Sequence, residues 1–357
     1  MGFVVSAAGQ ERVFLSAPRR SMPSNFCVVE NTTETINFIN SLRQRLVKPP
    51  VSGTRAVRSR LDPSRRSPGA PRWIGPYIDF ATMQHISPAS ALILAAEYDR
   101  ARSLRASRIG ELGKLFVVNP QDWDESVLET LFEVGFFDIL DIAHTISAPD
   151  GERRILRFRS GKENDATAIG GMLDEIERMF KDVGLNANDA CFELNGALGE
   201  AMENTVRCAY PSGGSFHIPH VGRWWMTGAL SKSLRRMNVA IFDQGVSIPG
   251  SLKGWKFYGG FAERFLNAVG IPPDLSEPRY DGRVIELAIE ESATSTNLEK
   301  HGKGLGHIKA FVDSCQSGRL TIVSRYGFYM YEKGRKPVVK SLNANLGGTL
   351  VEWDVMI

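Results

Sequence analysis

Cysteine is scarce in this chain of 357 residues, and the four that occur, Cys27, Cys191, Cys208 and Cys315, stand far apart with no Cys-x-x-Cys pair. That distribution argues against a zinc site and against a disulfide framework. An excess of charge of one sign is also missing. The 43 Lys and Arg against 40 Asp and Glu leave a formal net charge of +3, too small to imply nucleic acid or a membrane without a local patch. No apolar run approaches the ~18 residues of a membrane span. The opening residues, MGFVVSAAGQERVF, lack the charged start and long apolar core of a secretory signal, so a cytoplasmic chain with no membrane partner is expected. A G-x-x-x-x-G-K-[ST] phosphate loop is absent as well, which removes the P-loop nucleotide hydrolases.

What is present suits two domains with sizeable cores, since 43% of the residues are hydrophobic and 23% charged. Residues 1–24 hold Pro18 and Pro23 and little periodicity, and read as a flexible arm. From 25 to 148, strands and helices alternate, with a strand at FCVVE, a helix carrying Ile36, Ile39, Leu42 and Leu46 inward, a strand at WIGPYIDF, a helix from ISPASAL, a buried strand at LFVVN and an amphipathic helix ending in GFFDIL. An Arg- and Pro-rich insertion at about 50–71 interrupts this domain. It has no interleaved aromatics for base stacking, so a nucleic-acid partner is not expected. A turn at Pro149, Asp150 and Gly151 separates a second region, 152–357.

The second region is organised around residues 188–210, NDACFELNGALGEAMENTVRCAY. As a helix this stretch puts Leu194, Leu198, Ala201 and Thr205 on one stripe and Glu193, Glu200 and Asn204 on another. Glu200 and Asn204, four residues apart, can bring a carboxylate and a carboxamide to one point, a pairing suited to a metal ion and a water. Glu203 is the rival carboxylate, but on an ideal helix it points ~100° from Asn204 whereas Glu200 lies ~40° away. Further on, the apolar strand RMNVAIFD ends in Asp243-x-Gly245, where an aspartate can accept a hydrogen bond from a buried amine and a glycine lets a flat ligand approach. Gly302, Lys303, Gly304, Leu305 and Gly306 open a helix whose free N–H groups and positive end suit a phosphate. Gly347-Gly348-Thr349 precedes a last strand.

The order of these four motifs resembles the nucleotide-binding boxes of the GHKL ATPases, the superfamily of histidine kinases, gyrase-type ATPases and anti-sigma serine kinases. The order of elements before residue 148 resembles, more loosely, the STAS fold of anti-anti-sigma proteins. Together the resemblances imply an α/β chain: a STAS-like α/β domain followed by a GHKL (Bergerat) α/β sandwich, its mixed sheet covered by helices on one face. They imply ATP and Mg²⁺ as cofactors. By position, Asn204 would bind Mg²⁺, Asp243 the adenine amino group, Gly245 the space beside the ring and Thr349 the water next to Asp243. Gly302, Lys303, Gly304, Leu305 and Gly306 would meet the phosphates, residues 293–303 would form a lid, and Glu200 would be the general base. Where many members have a second glycine this chain has Ser247, a small residue with which the pocket should survive. The STAS phosphoserine position aligns with Pro88, so Ser87 and Ser90 read as helix-capping residues. The function implied is an Mg-ATP-binding regulatory protein with ATPase or serine/threonine phosphotransfer activity. The alternative is a non-catalytic module in which nucleotide gates a protein interaction. Expected partners are the nucleotide and a protein bound through the STAS-like domain, with a homodimer left open.

Overall fold

The structure is a computed structural model that describes residues 1–15, 20–47, 72–74, 77–106, 115–143, 152–182, 184, 186–255, 258–294 and 304–357. It divides into two compact units, Met1–Ser147 and Ala148–Ile357. All of the 50–71 insertion, and residues 295–303 of the 293–303 lid, lie outside the described residues.

Alternation of apolar residues within the first fifteen closes a hairpin: β1 (Gly2–Ser6) pairs antiparallel with β2 (Gly9–Leu15), burying Val4 and Val13. The expectation of a flexible arm is therefore corrected for these residues. The prolines that suggested it follow the hairpin, and each strand offers too few inward apolar residues to stand out in the sequence. The chain continues through β3 (Arg20–Ser21), β4 (Asn25–Phe26), α1 (Thr32–Val47), β5 (Arg72–Ile74), β6 (Ile78–Asp79), β7 (His85–Ile86), α2 (Pro88–Ala106), β8 (Phe116–Val118), α3 (Glu125–Val134) and α4 (Phe136–Ile139). A sheet of order β5-β2-β1-β8 forms, and β3 pairs with β6 and β4 with β7, both in parallel. The strand expected at FCVVE shortens to β4, because the chain turns at once into α1, whose Ile36, Ile39, Leu42 and Leu46 are buried as the periodicity predicts. Ser87 caps α2, its Oγ accepting the Ser90 N–H at 3.3 Å. The Ser90 hydroxyl instead accepts the Val28 N–H at 2.9 Å, tying α2 to the turn after β4. The acid end of α3 is held by Asp124, whose carboxylate accepts the Ser126 and Val127 N–H groups.

In the second unit β9 (Arg153–Ile155), β10 (Arg159–Gly161), α5 (Ala166–Lys181) and α6 (Asn188–Asn204) come first, and α6 runs on into a π-helical turn, Thr205–Ala209. Then follow β11 (Trp224–Ser231), β12 (Arg236–Asp243), α7 (Ser247–Ser251), α8 (Tyr258–Val269), α9 (Asp281–Thr294), α10 (Gly304–Ser314), β13 (Ser317–Ser324), β14 (Gly327–Glu332), β15 (Val338–Ser341) and β16 (Thr349–Met356). The sheet has the order β10-β11-β12-β16-β13-β14-β15, with β9 also on β11. Every described pairing in it is antiparallel, so the expectation of a mixed sheet is corrected. The expectation had no pairing information behind it, because strand direction is set by connections that periodicity does not report. Met237, Val239 and Ile241 of β12 and Val351, Trp353 and Val355 of β16 pack with Ile176, Leu198, Ile289 and Phe311 from the helices in one apolar core. The other face carries polar pairs, among them Asn238 Nδ2 donating to Glu352 Oε1 at 2.7 Å. No helix among the described residues is long and apolar enough to cross a membrane.

Candidate functional site

The antiparallel register brings the ends of three strands into one row. Asp243 at the end of β12 stands opposite Thr349 at the start of β16, and Thr349 stands opposite Ser324 at the end of β13. Since side chains directly opposite share a face, all three point to the helical side, two residues beyond the core positions Ile241, Val351 and Ile322. The hydroxyls of Ser324 and Thr349 are 2.8 Å apart. Asp243 Oδ1 accepts the Gly245 N–H at 2.8 Å, Oδ2 accepts the Thr205 hydroxyl at 3.5 Å, and the Thr349 N–H also donates to this carboxyl. Burial pushes the Asp243 carboxyl up from 3.8 to about 7, and these three hydrogen bonds draw it back only in part. The cost of burying the charge therefore outweighs what the three hydrogen bonds return.

Above this row lies a cavity of about 500 Å³, within the ~300–1,000 Å³ of small-molecule sites. Asp243 and Thr349 form part of its lining, and α6 supplies Glu200, Glu203 and Asn204. Glu203 reaches the wall despite its expected direction, but its carboxylate is paired with Arg207 at 2.8 Å. Glu200 Oε1 lies 3.7 Å from His307 Nδ1 on α10, a neighbour that no sequence pattern joined to it. The π-helical turn after Asn204 shifts the backbone so that Thr205 Oγ1 reaches both Ala201 O and Asp243, which is how the helix end and the strand end are locked together.

No family model, curated protein or solved structure matches this chain. Of the residues singled out in the sequence, Glu200, Asn204, Asp243, Leu305 and Thr349 line the one cavity. Gly302 and Lys303 lie outside the described residues, and Gly304 opens α10. Gly306 is not part of the lining, and its N–H is taken by Ser292 Oγ at 3.1 Å. The glycine at 245 serves a different contact from the one expected. A Cβ there would stand 2.3 Å from Ala209 O, so its absence lets the strand end close on the π-helical turn, where Val246 N–H meets Ala209 O at 2.8 Å. Gly348 has φ +139° and a Cβ would sit 1.9 Å from the backbone carbonyl oxygen of Asp243, so only glycine lets the chain entering β16 pass so close to the end of β12.

Sequence reasoning missed Thr205, His307, Ser292 and Trp255, of which all but His307 line the cavity. Thr205 follows Asn204 directly, so its hydroxyl could have been named as a partner for Asp243 once a helix extension was allowed. The others belong to separate elements and carry no local signal.

Ser247, which stands where the resemblance implies a second glycine, adopts φ 80°, in the left-handed region that costs a side-chain-bearing residue free energy. Its hydroxyl offsets part of this by accepting the Gly250 N–H at 3.3 Å. Ser247→Gly should therefore raise the unfolding free energy by ~0.5–1 kcal/mol, measured by denaturant unfolding at unchanged slope. A loss of stability would mean that the hydroxyl contact outweighs the strain.

Proposed function

We propose that the second unit binds Mg-ATP in this cavity and turns it over, as an ATPase or a serine/threonine phosphotransferase of the GHKL kind, with the STAS-like first unit engaging a protein partner. The observation that carries the reading is the buried Asp243 carboxyl, placed by three hydrogen bonds at the base of a cavity whose wall holds the Glu200–Asn204 pair. An acceptor so placed suits the amino group of adenine and disfavours guanine, which presents a carbonyl oxygen at the equivalent position. The oxygen donors of the wall also fit magnesium. Asn204 offers a hard carboxamide oxygen one helical turn from a carboxylate, the donor type that Mg²⁺ takes alongside substrate phosphates. Bound there, the ion would neutralise phosphate charge. Glu200 would accept the proton of the attacking water or hydroxyl, and His307 at 3.7 Å would orient its carboxylate.

A second reading, a module in which nucleotide gates a protein interaction without turnover, draws on the start of α10. The Gly306 N–H already bonds to Ser292, so this helix end offers a phosphate fewer free amides than the glycine pattern implied.

Calorimetric titration of the full chain tests nucleotide binding itself. ATP should bind once per chain, more tightly with Mg²⁺ than without, and GTP at least ~100-fold more weakly. Absence of adenine-nucleotide binding, or equal affinity for GTP, would sink both readings.

A further inference from the structure

We propose that Cys27, Glu30 and His85 in the first unit form a zinc site, an inference independent of the nucleotide reading. β4 and β7 run in parallel with Asn25 opposite His85 and Phe26 opposite Ile86. Phe26 and Ile86 are buried, so by the two-residue period of a strand Asn25 and His85 face the other way, together. Immediately after β4 the chain turns back on itself, with Asn31 N–H bonded to Cys27 O at 2.8 Å and Glu30 N–H to Cys27 Sγ at 3.4 Å. That turn carries Glu30 over Cys27. As a result the Cys27 Sγ, a Glu30 carboxylate oxygen and a His85 ring nitrogen all lie within 4.8 Å of one another.

The donor set selects the ion. Thiolate, imidazole and carboxylate together are borderline-soft, which suits Zn²⁺ and not the oxygen-seeking Mg²⁺ or Ca²⁺. Zinc bond lengths of ~2.0–2.3 Å in a tetrahedron put ligand atoms about 3.3–3.8 Å apart. Closing the cluster to that size takes side-chain shifts of up to ~1.5 Å, available to Glu30 and His85, whose side chains are exposed, while Cys27 stays in its buried place. A second, independent feature points the same way. Asn25 Oδ1 is buried without a hydrogen-bond partner, and the same carboxamide borders Glu30, with Nδ2 at 3.3 Å from Oε2. Turning that carboxamide over would offer its orphaned oxygen as the fourth donor, or as an acceptor for a water on the metal. Without an ion, that orphaned oxygen has no hydrogen-bond partner among the described residues. The absence of Cys-x-x-Cys spacing did not bear on this set, because its donors are of three types and His85 comes 55 positions after Glu30.

The test uses the full chain stripped of metal by a chelator. Titration with Zn²⁺ should give one ion per chain, and Co²⁺ should give visible bands of four-coordinate cobalt with a near-ultraviolet thiolate charge-transfer band. Glu30→Gln and His85→Ala alter exposed side chains and should keep the wild-type circular dichroism while weakening Zn²⁺ at least ~100-fold. Cys27→Ser should remove the charge-transfer band. Should Cys27→Ser fail to fold, the two exposed variants decide the question alone. The proposal is overturned if wild type binds no Zn²⁺, if His85→Ala and Glu30→Gln bind it as tightly as wild type, or if the cobalt charge-transfer band survives the loss of Cys27.

Discussion

Asp243→Asn is expected to weaken ATP at least ~100-fold while leaving the fold intact. The carboxylate is an acceptor only, whereas an amide can turn a donor toward the adenine amino group, and a donor facing a donor in a buried site costs far more than a lost contact. The fold tolerates the change because the apo carboxyl, pushed up to about 7, is already near half protonated at neutral pH, and asparagine resembles that protonated form in shape and bonding. A pH series sharpens the test. The folded state holds the Asp243 proton up to about pH 7 and the unfolded chain only to about 4, so the folded state binds more protons between those values. Stability contributed by this group is complete below about pH 4 and is lost as pH rises to about 7. Asparagine does not titrate, so the variant should gain on wild type across that window, by no more than ~4 kcal/mol, and stay level above it. ATP affinity of wild type should move the other way, falling as pH drops below about 7, because the amine bonds to the carboxylate. An Asp243→Asn protein that binds ATP normally would remove the adenine assignment.

Glu200→Ala should separate enzyme from binding module. It removes the proposed base but no principal contact to the bound nucleotide, so affinity should stay within a few-fold while turnover falls ~10²- to 10⁴-fold. Glu203→Ala is the control. Its carboxylate is paired with Arg207, and its loss should change the rate only a few-fold. If Glu203→Ala carries the large effect, the base has been assigned one turn-position wrongly. If wild type binds Mg-ATP without turning it over, and cellular function survives Glu200→Ala but not Asp243→Asn, the gating module replaces the enzyme.

Much of the framework could be read from the chain because its periodicities are strong. The stripe of Leu194, Leu198 and Ala201 gave α6, and the alternation of Met237, Val239 and Ile241 gave β12 with Asp243 at its end. Thr349 was singled out through the resemblance, in the motif where a glycine pair precedes the last strand. The edge strand β15 did not stand out, since Val338–Ser341 is largely exposed and has no inward alternation. Pairing direction was equally hidden, and the contacts that complete the cavity, Thr205 with Asp243 and His307 with Glu200, depend on a π-helical turn and on the meeting of two helices far apart in sequence. Local pattern places a residue on an element and a face. It does not say which other element will come to that face.

The row of Asp243, Thr349 and Ser324 exists only in one alignment of β12, β16 and β13. Because successive strand residues point to opposite faces, a slip of a single position in any of the three would turn its member of the row to the other face and put a sequence neighbour in its place. Secondary structure content would hardly change, so circular dichroism would be blind to the error. Nucleotide occupancy would not be: a chain that refolds with its strands misaligned keeps its helices and its sheet but loses its ligand. On the proposed reading, nucleotide would by mass action draw the population toward the one alignment that can hold it. A ligand would then act as a proofreader of strand assembly as well as an occupant of the finished site.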